Sequence, residues 1–211
     1  MVKTILLKQH IGAPDVPVVK VGDKVRRGTL LASPEKLGAN IFSSVDGVVK
    51  EITDAAIVVE ADEKQSDSFE PISGEDNLSL VKAAGIVGMG GAGFPTGVKL
   101  GIDLKGGYLL VNAAECEPLL EHNMKQIMEE PEKTIHGIQY AMKICNAKQA
   151  VIAIKKKHEK EIALLLEKLK NYPEITLHLL PDIYPMGEER AVVREVLGKL
   201  LPPTALPSEA A

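Results

Sequence analysis

A segment rich in glycine is the first candidate for chemistry in this sequence. Residues 85–97 read GIVGMGGAGFPTG, with six glycines in thirteen residues, and a lysine follows at position 99. Successive backbone N–H groups in such a loop can surround a phosphate because no side chain blocks the approach. The segment therefore predicts a phosphate-binding loop. The candidate ligands in it are Gly88, Gly90, Gly91, Gly93 and Lys99.

The glycine spacing also matches the G-x-G-x-x-G pattern of dinucleotide-binding folds, although its context does not. That pattern normally follows a strand and opens a helix. Here a helix is predicted at residues 75–85, and Pro95 delays the next helix to about Thr96. A helix from Thr96 would direct its positive end at the phosphate. The alternative for Lys99 is an ordinary solvated helix lysine.

Two groups of polar residues lie at or beyond the ends of predicted strands. They are Asn112, Glu115 and Glu117 in the run YLLVNAAECEP, and Gly187, Glu188 and Glu189 in the run YPMGEE. Carboxylates and amides can hydrogen-bond the hydroxyl groups of a nucleotide. The alternatives are that Glu115 caps the following helix, and that the second group is the acidic N-terminus of a helix.

Alternating strands and helices after residue 72 must position these groups. The predicted strands are 106–115, 149–157 and 174–180. The predicted helices are 75–85, a helical stretch between the first of these strands and Pro131, and then 131–146, 158–172 and 188–200. This order indicates a parallel sheet with right-handed crossovers, in which ligands bind beyond the carboxyl ends of the strands. The apolar side of the helix at 158–172 consists of Ile162, Leu165, Leu166 and Leu169.

Before residue 72, short strands and turns predict a compact all-β module. The arrangement GDKVRRG followed by DGVV resembles a barrel-sandwich module of the biotinyl/lipoyl type, which carries a modified lysine at a hairpin tip. Lys36 lies in the corresponding loop, but its setting, SPEKLGANIF, favours an ordinary surface lysine. The predicted organisation is a module at 1–72, an α/β domain at 73–201, and a linker or chain end at 202–211.

Composition narrows the classes of function. The net charge of −4 argues against nucleic-acid binding, and no apolar run reaches the ~18 residues of a membrane span. The N-terminus lacks a signal peptide, so a cytoplasmic location is predicted. Two cysteines cannot ligate an iron–sulfur cluster, and the lone Cys116 is expected to be inert. The histidines show no metal-ligand spacing and are expected at surface or packing positions: His10, His122, His136, His158 and His178.

The motifs together resemble a known family. GGAGFPTGVKL followed by NAAECEP is similar to the flavin-binding motifs of the NADH-oxidising subunit of respiratory complex I. GMGGAGFPT, AECEP and a YPxGxE segment, in this order, resemble more closely the C subunit of the Rnf electron-transport complex and its soluble relatives. Those relatives include the electron-transfer protein associated with proline reductase. They also begin with a barrel-sandwich module, so the resemblance spans nearly the whole chain.

The resemblance implies a Rossmann-like domain that binds FMN, with NADH as the electron donor. It implies that the glycine loop holds the flavin phosphate and ribityl chain, and that the acids approach the flavin and the nicotinamide. Phe94 would stack on a nicotinamide or adenine ring, or else anchor the loop in the core. Ala114 stands where complex I subunits have Asp, so one polar flavin contact would be absent.

The implied role is that of an electron-transfer module within an NADH:acceptor oxidoreductase. Hydride transfer requires no general acid or base, so no catalytic residue is predicted. Rnf C subunits continue into cysteine motifs for two 4Fe–4S clusters, which this sequence lacks. The chain is either a short homologue or, as we favour, a piece of a longer protein that is peripheral to the membrane through partner subunits. Two alternatives are a scaffold that has lost its cofactor and a carrier with a modified Lys36.

Overall fold

The computed structural model describes residues 1–89, 92–117 and 120–210. The chain divides into two compact units, Met1–Gly101 (unit 1) and Ile102–Ala211 (unit 2). Residues 73–101 therefore group with the β module, because Asn40 Nδ2 donates to the Ala83 carbonyl at 3.2 Å and Gly85 lies against the Asn40 backbone. The domain boundary after residue 72 stays a prediction.

Two antiparallel sheets form most of unit 1. Their strands are β1 (Val2–Leu6), β2 (Val16–Pro17), β3 (Lys24–Val25), β4 (Leu30–Ser33), β5 (Ile41–Phe42), β6 (Gly47–Ile52) and β7 (Ala56–Ala61). One sheet has the order β1–β7–β6–β3 and the other the order β2–β4–β5. Buried side chains of both sheets, together with Leu7 just after β1, form one core: Leu7, Val25, Leu31, Ala32, Ile41, Val49, Ile57 and Val59. The core therefore lies between the sheets, as in a sandwich.

Two helices complete unit 1, α1 (Asn77–Ala83) and α2 (Thr96–Lys99). Helix α1 begins at a capping box, in which the Asp76 carboxylate accepts from the Ser79 N–H at 2.7 Å and the Ser79 hydroxyl accepts from the Asp76 N–H at 2.9 Å. Gly85 follows the helix with φ +63, a conformation that glycine adopts without strain. The predicted helix before the glycine loop is thus confirmed.

Unit 2 contains a three-stranded parallel sheet of order β10–β9–β8. Its elements are β8 (Tyr108–Ala113), α3 (His122–Glu129), α4 (Pro131–Ile144), β9 (Gln149–Lys155), α5 (Glu159–Lys168), β10 (Ile175–Leu180) and α6 (Glu189–Leu197). The strand and helix order predicted for this part of the chain is confirmed. No helix in the described ranges is long and apolar enough to cross a bilayer.

Both faces of this sheet are covered by helices. On one face, Ile152 and Ile154 of β9 pack with buried side chains of α3, α4 and α5. On the other face, Ala153 packs with Val192 of α6. Near-continuous burial along β9 follows from this double cover. One prediction for α5 is wrong: Leu166 is 55% exposed, because the inner side of the helix is narrower than the predicted stripe.

The last residues of unit 2 are anchored to α6. The Arg190 guanidinium donates to the carbonyls of Leu201 and Pro202 at 2.5 and 2.7 Å, and a 3-10 helix follows at Pro207–Ala210. That the segment 202–211 acts as a linker or chain end stays a prediction.

Candidate functional site

Backbone hydrogen bonds close the glycine loop at its base. The Gly88 N–H donates to the Phe94 carbonyl at 2.9 Å, and the Thr96 N–H donates to the Ile86 carbonyl at 2.8 Å. The two ends of the loop are therefore joined to each other, as at the end of a β-hairpin. This geometry differs from the strand–turn–helix of dinucleotide folds. Gly88 already uses its own N–H in closing the loop.

Gly93 has a structural requirement of its own. Its φ is +60, and a Cβ at this position would lie 3.1 Å from the Gln9 carbonyl oxygen and 3.2 Å from the His10 Cα. The conformation is one that L side chains rarely adopt, and the contact is tighter than most Cβ contacts, so glycine is favoured here. The other two predicted glycine ligands, Gly90 and Gly91, lie outside the described residues. Ligation of a phosphate by this loop stays a prediction.

The helix that follows the loop is shorter than the sequence indicates. Helix α2 begins at Thr96 as predicted, but it contains only four residues. Aligned peptide dipoles add up only over several turns, so the predicted positive helix end contributes little here. Lys99 is exposed in the last turn of α2. Phe94 is 40% exposed, so it is not a core anchor, and its stacking on a ligand ring stays a prediction.

In unit 2, the two strand-end motifs are joined by hydrogen bonds. Asn112 Nδ2 donates to the Gly187 carbonyl at 2.8 Å, and Asn112 Oδ1 accepts from the Ala114 N–H at 3.1 Å. The Gly187 N–H donates to Cys116 Sγ at 2.9 Å. Both motifs thus meet at the carboxyl end of the parallel sheet, where the topology predicts them. Asn112, predicted as a flavin contact, uses its amide here as a clamp on Gly187.

Gly187 is required because of close approach. A Cβ on it would lie 2.2 Å from the Ala114 carbonyl oxygen and 2.6 Å from Cys116 Sγ. Contacts below 3.0 Å force the backbone to move. The close approach that the sequence assigns to a flavin is therefore made, in this structure, to the chain that leaves the end of β8.

The first pair of acids lies beside this clamp in the chain. Glu115 is half-buried and Oε2 accepts from Asn123 Nδ2 of α3 at 2.8 Å, whereas Glu117 is exposed. The alternative that Glu115 caps α3 is wrong, since the N-cap position is occupied by Glu121. A carboxylate with one partner retains lone pairs that could accept from ligand hydroxyls.

The second pair of acids begins α6. The Glu188 carboxylate accepts from the Ala191 N–H at 2.9 Å and caps the helix. Glu189 is exposed in the first turn. The helix-terminus alternative is therefore confirmed for Glu188, and ligand contact by either acid stays a prediction.

A buried lysine near this edge of the sheet has no counterpart in the sequence-based predictions. Lys155 ends β9, its side chain is 6% exposed, and Nζ lies 3.5 Å from Asp182 Oδ1. Lys157 Nζ lies 3.2 Å from the same oxygen, and its hydrogen bond lowers the pKa of Asp182. The ion pair connects β9 to the start of the loop that carries Gly187. The sequence feature that could have indicated this ion pair is a lysine at the end of a predicted strand, followed by a polar turn.

Another feature missed by the sequence is a buried pair in unit 1. His10 Nε2 lies 3.0 Å from Asp15 Oδ1, and the two side chains are 1% and 0% exposed. Burial raises the pKa of the Asp15 carboxyl, and His10 opposes this change. The sequence predicts His10 only as a surface or packing residue. The available signal is an acid five residues after a histidine, across a Gly-Ala-Pro turn.

Lys36, the candidate carrier lysine that the sequence favours as an ordinary surface lysine, is exposed in the loop between β4 and β5. The two residues that follow Lys36 in this loop are closely packed against the segment that contains Gly12 and His10. A Cβ on Gly12 would lie 2.3 Å from the Leu37 carbonyl oxygen, and one on Gly38 would lie 2.6 Å from His10 Cε1. Modification of Lys36 stays a prediction. No cluster of three or more metal-ligating residues occurs in the described parts of the chain.

These features define a class of protein, a β sandwich module joined to an α/β domain whose polar motifs meet at the end of a parallel sheet. The family model described as the Nuo51 FMN-binding domain matches residues 81–211, and the model described as the RnfC barrel sandwich hybrid domain matches residues 2–67. The chain belongs to this family of FMN-binding domains. The resemblance recognised from the motifs is thereby confirmed.

Curated relatives agree with this assignment. The chain is 35% identical to the C subunit of a proton-translocating ferredoxin:NAD(+) oxidoreductase complex from Clostridium ljungdahlii, over 97% of the chain and 49% of the relative. It is 30% identical to the C subunit of the Na(+)-translocating complex from Acetobacterium woodii, over 98% and 51%. It is 40% identical to the cobalamin reductase PduS from Salmonella typhimurium, over 65% and 30%. The chain therefore spans about half the length of the first two relatives.

Proposed function

We propose that this chain is an FMN-binding electron-transfer module. The observation that carries the proposal is the match of the FMN-binding domain to residues 81–211, which include the glycine loop and both strand-end motifs. We also propose that the parallel sheet of unit 2 is Rossmann-like, because it is covered by helices on both faces and presents polar motifs at its carboxyl end.

Two sets of residues, each considered within its own unit, have chemistry that suits this cofactor. In unit 1, the loop closed by Gly88 contains Gly93 in a conformation that favours glycine, so its backbone can approach a phosphate closely. In unit 2, Glu115, Glu117 and Glu189 supply hydrogen-bond acceptors. Acceptors suit the hydroxyl groups of a ribityl chain or a ribose, which are donors.

Bound FMN would supply the redox chemistry, since a flavin accepts two electrons as a hydride and releases them one at a time. Two relatives are named as parts of ferredoxin:NAD(+) oxidoreductase complexes, which supports NADH as the partner in hydride exchange. The protein's own residues would bind and orient the two nucleotides. Electrons would leave through 4Fe–4S clusters carried by a longer form or by other subunits of an electron-transfer complex. Such a complex would place the protein at the cytoplasmic face of a membrane through those subunits.

The first test is an absorbance and fluorescence titration of the protein with FMN and with riboflavin. We expect FMN to bind, with quenching of its fluorescence. We expect riboflavin to bind more weakly by about tenfold or more, because it lacks the phosphate. Equal affinity for the two flavins would remove the phosphate-binding role of the loop. Absence of binding to either flavin would favour the alternative of a scaffold that has lost its cofactor.

The donor is tested separately with Glu189→Gln, which preserves shape and deletes charge. If Glu189 contacts the nicotinamide nucleotide, stopped-flow reduction of bound FMN by NADH should change while the affinity for FMN does not. Reduction by dithionite is the control, since it bypasses the nucleotide. Loss of FMN affinity with an unchanged rate would assign Glu189 to the flavin instead.

A further inference from the structure

The buried pair of His10 and Asp15 has an unusual set of contacts. His10 Nδ1 lies 2.9 Å from the Ile11 carbonyl oxygen, while Nε2 faces Asp15 Oδ1. Asp15 Oδ2 is buried without a hydrogen-bond partner among the described residues. A buried polar atom without a partner costs free energy, so any role of this pair lies in what it contacts.

The contacts determine how the protons are shared. A carbonyl oxygen can only accept, so His10 Nδ1 carries a hydrogen. The second proton lies between Nε2 and Asp15 Oδ1, on one atom or the other. Either arrangement gives a pair with no net charge, which can remain buried inside unit 1. Removing one partner would leave the other buried and unpaired.

The pair is directly adjacent to the glycine loop. A Cβ on Gly93 would lie 3.2 Å from the His10 Cα and 3.8 Å from its Cβ, and the Gln9 carbonyl is as close. On its other side, the His10 ring faces Gly38, where a Cβ would lie 2.6 Å from Cε1. Gly93 therefore lies against the backbone of Gln9 and His10, and the ring of the same His10 is held by Ile11 and Asp15.

We propose that His10 and Asp15 are positioning residues for the phosphate of the flavin, and that the β module supports the phosphate-binding loop. This inference rests on the proposed binding of FMN by the glycine loop. Backbone N–H groups bind a phosphate only when they are held at the correct distance and direction, so the backbone beneath them matters as much as the loop itself. Riboflavin keeps the ribityl chain and the ring but lacks the phosphate, so its binding should depend on the pair less than the binding of FMN does.

The test measures the affinities of the intact protein for FMN and for riboflavin in matched variants. We expect His10→Ala and Asp15→Leu to weaken FMN binding by about tenfold or more, because the phosphate loses aligned N–H donors, and to weaken riboflavin binding less. Asp15→Asn should retain the preference for FMN, because the new amide can donate to Nε2 while Nδ1 still donates to Ile11.

The control is Val59→Ala, which opens a cavity in the hydrophobic core of the same β module, a cluster that includes neither member of the pair. It should lower the melting temperature and leave the ratio of the two affinities unchanged. Hydrogen exchange of the peptide covering residues 85–97 should accelerate in His10→Ala and not in Val59→Ala.

The outcomes separate this inference from the function on which it rests. If the unaltered protein does not prefer FMN to riboflavin, the phosphate-binding role fails, and the positioning role fails with it. If the unaltered protein prefers FMN and His10→Ala retains that preference, only the positioning role is overturned. Equal weakening of both flavins by His10→Ala would reduce the pair to a structural role.

Discussion

The glycine loop of unit 1 and the Gly187 loop of unit 2 both require glycine, but for different physical reasons. Gly93 has a φ of +60, which L side chains rarely adopt, and its nearest neighbours are just over 3 Å from a Cβ position. Gly187 has no such φ, yet a Cβ there would lie 2.2 Å from a carbonyl oxygen. Gly93 is required mainly because of its backbone conformation, and Gly187 is required because a neighbouring carbonyl oxygen leaves no room for a Cβ.

The two loops are also held in different ways. The unit 1 loop is closed by backbone hydrogen bonds and rests against the backbone beside the buried His10. The unit 2 loop is held by the side chains of Asn112 and Cys116, which bind the carbonyl and the N–H of Gly187. Side-chain substitutions should therefore act directly on the second loop and only indirectly on the first.

Alanine substitutions at the two glycines should give the largest effects. Gly187→Ala is expected to destabilise unit 2 by up to about 3 kcal/mol, because the strand end must move. Gly93→Ala is expected to cost about 1–2 kcal/mol in unit 1, the cost of a left-handed conformation for a residue with a Cβ. Hydrogen exchange measured for each unit separately would compare the two free energies of unfolding.

Gly137→Ala is the matched control for these variants, since it lies in α4 and a Cβ there meets nothing within 4 Å. It should stabilise unit 2 by about 0.5–1 kcal/mol, because alanine favours a helix interior. Equal destabilisation by Gly93→Ala and Gly187→Ala would contradict the conclusion that backbone conformation requires one glycine and steric exclusion requires the other.

The clamp on Gly187 should give intermediate effects. Asn112→Asp replaces the amide donor with an oxygen that faces the Gly187 carbonyl, and because this hydrogen bond is exposed to solvent we expect a loss of about 0.5–1.5 kcal/mol. Cys116→Ala removes only a weak sulfur acceptor and should cost about 0.5–1 kcal/mol. Thermal unfolding and FMN titration should be measured for both variants.

One control variant and one alternative outcome test this interpretation of the contacts with Gly187. Cys116→Ser keeps an acceptor for the Gly187 N–H and should lose less stability than Cys116→Ala. If Asn112→Asp lowers FMN affinity without changing the stability of unit 2, then Asn112 is a flavin ligand, as predicted from the motif, and its clamp is of minor importance.

Lowering the pH should have the smallest effects on stability. The salt dependence of these effects should differ between the two units. The backbone N–H groups of Ser66 and Arg27 hold the pKa of Asp46 below its usual value in unit 1. The Lys157 ammonium does the same for the pKa of Asp182 in unit 2. A lowered native pKa stabilises the folded state at neutral pH, and this contribution is lost as the pH falls below about 3.9.

We therefore expect Asp46→Asn and Asp182→Asn each to flatten the acid limb of the stability curve of its own unit. The Asp182 contribution comes from a partly exposed ion pair and should shrink at high salt. The Asp46 contribution comes from fixed backbone donors and should persist. Urea unfolding as a function of pH at low and high salt measures both, and an equal salt response in the two units would contradict this assignment.

Much of the fold could be predicted because it depends on local patterns. The helices and strands of unit 2 follow from the spacing of apolar residues, and Pro131 begins α4 as its fixed φ allows. Parallel order and right-handed crossovers then require the Asn112 and Gly187 motifs to meet at one edge of the sheet. The prediction for Leu166 is wrong because a helical pattern does not reveal how wide the covered face is.

The sequence by itself therefore determined the elements, the motifs and the family of this protein, since these depend on residues close together in the chain. Only the tertiary structure decided that Asn112 and Cys116 hold Gly187, through contacts that span 75 and 71 residues of chain. It likewise decided that His10 lies against Gly93, although the two are far apart in sequence. Such contacts are set by how separate elements pack, and no local pattern encodes which side chain will occupy the space beside a glycine.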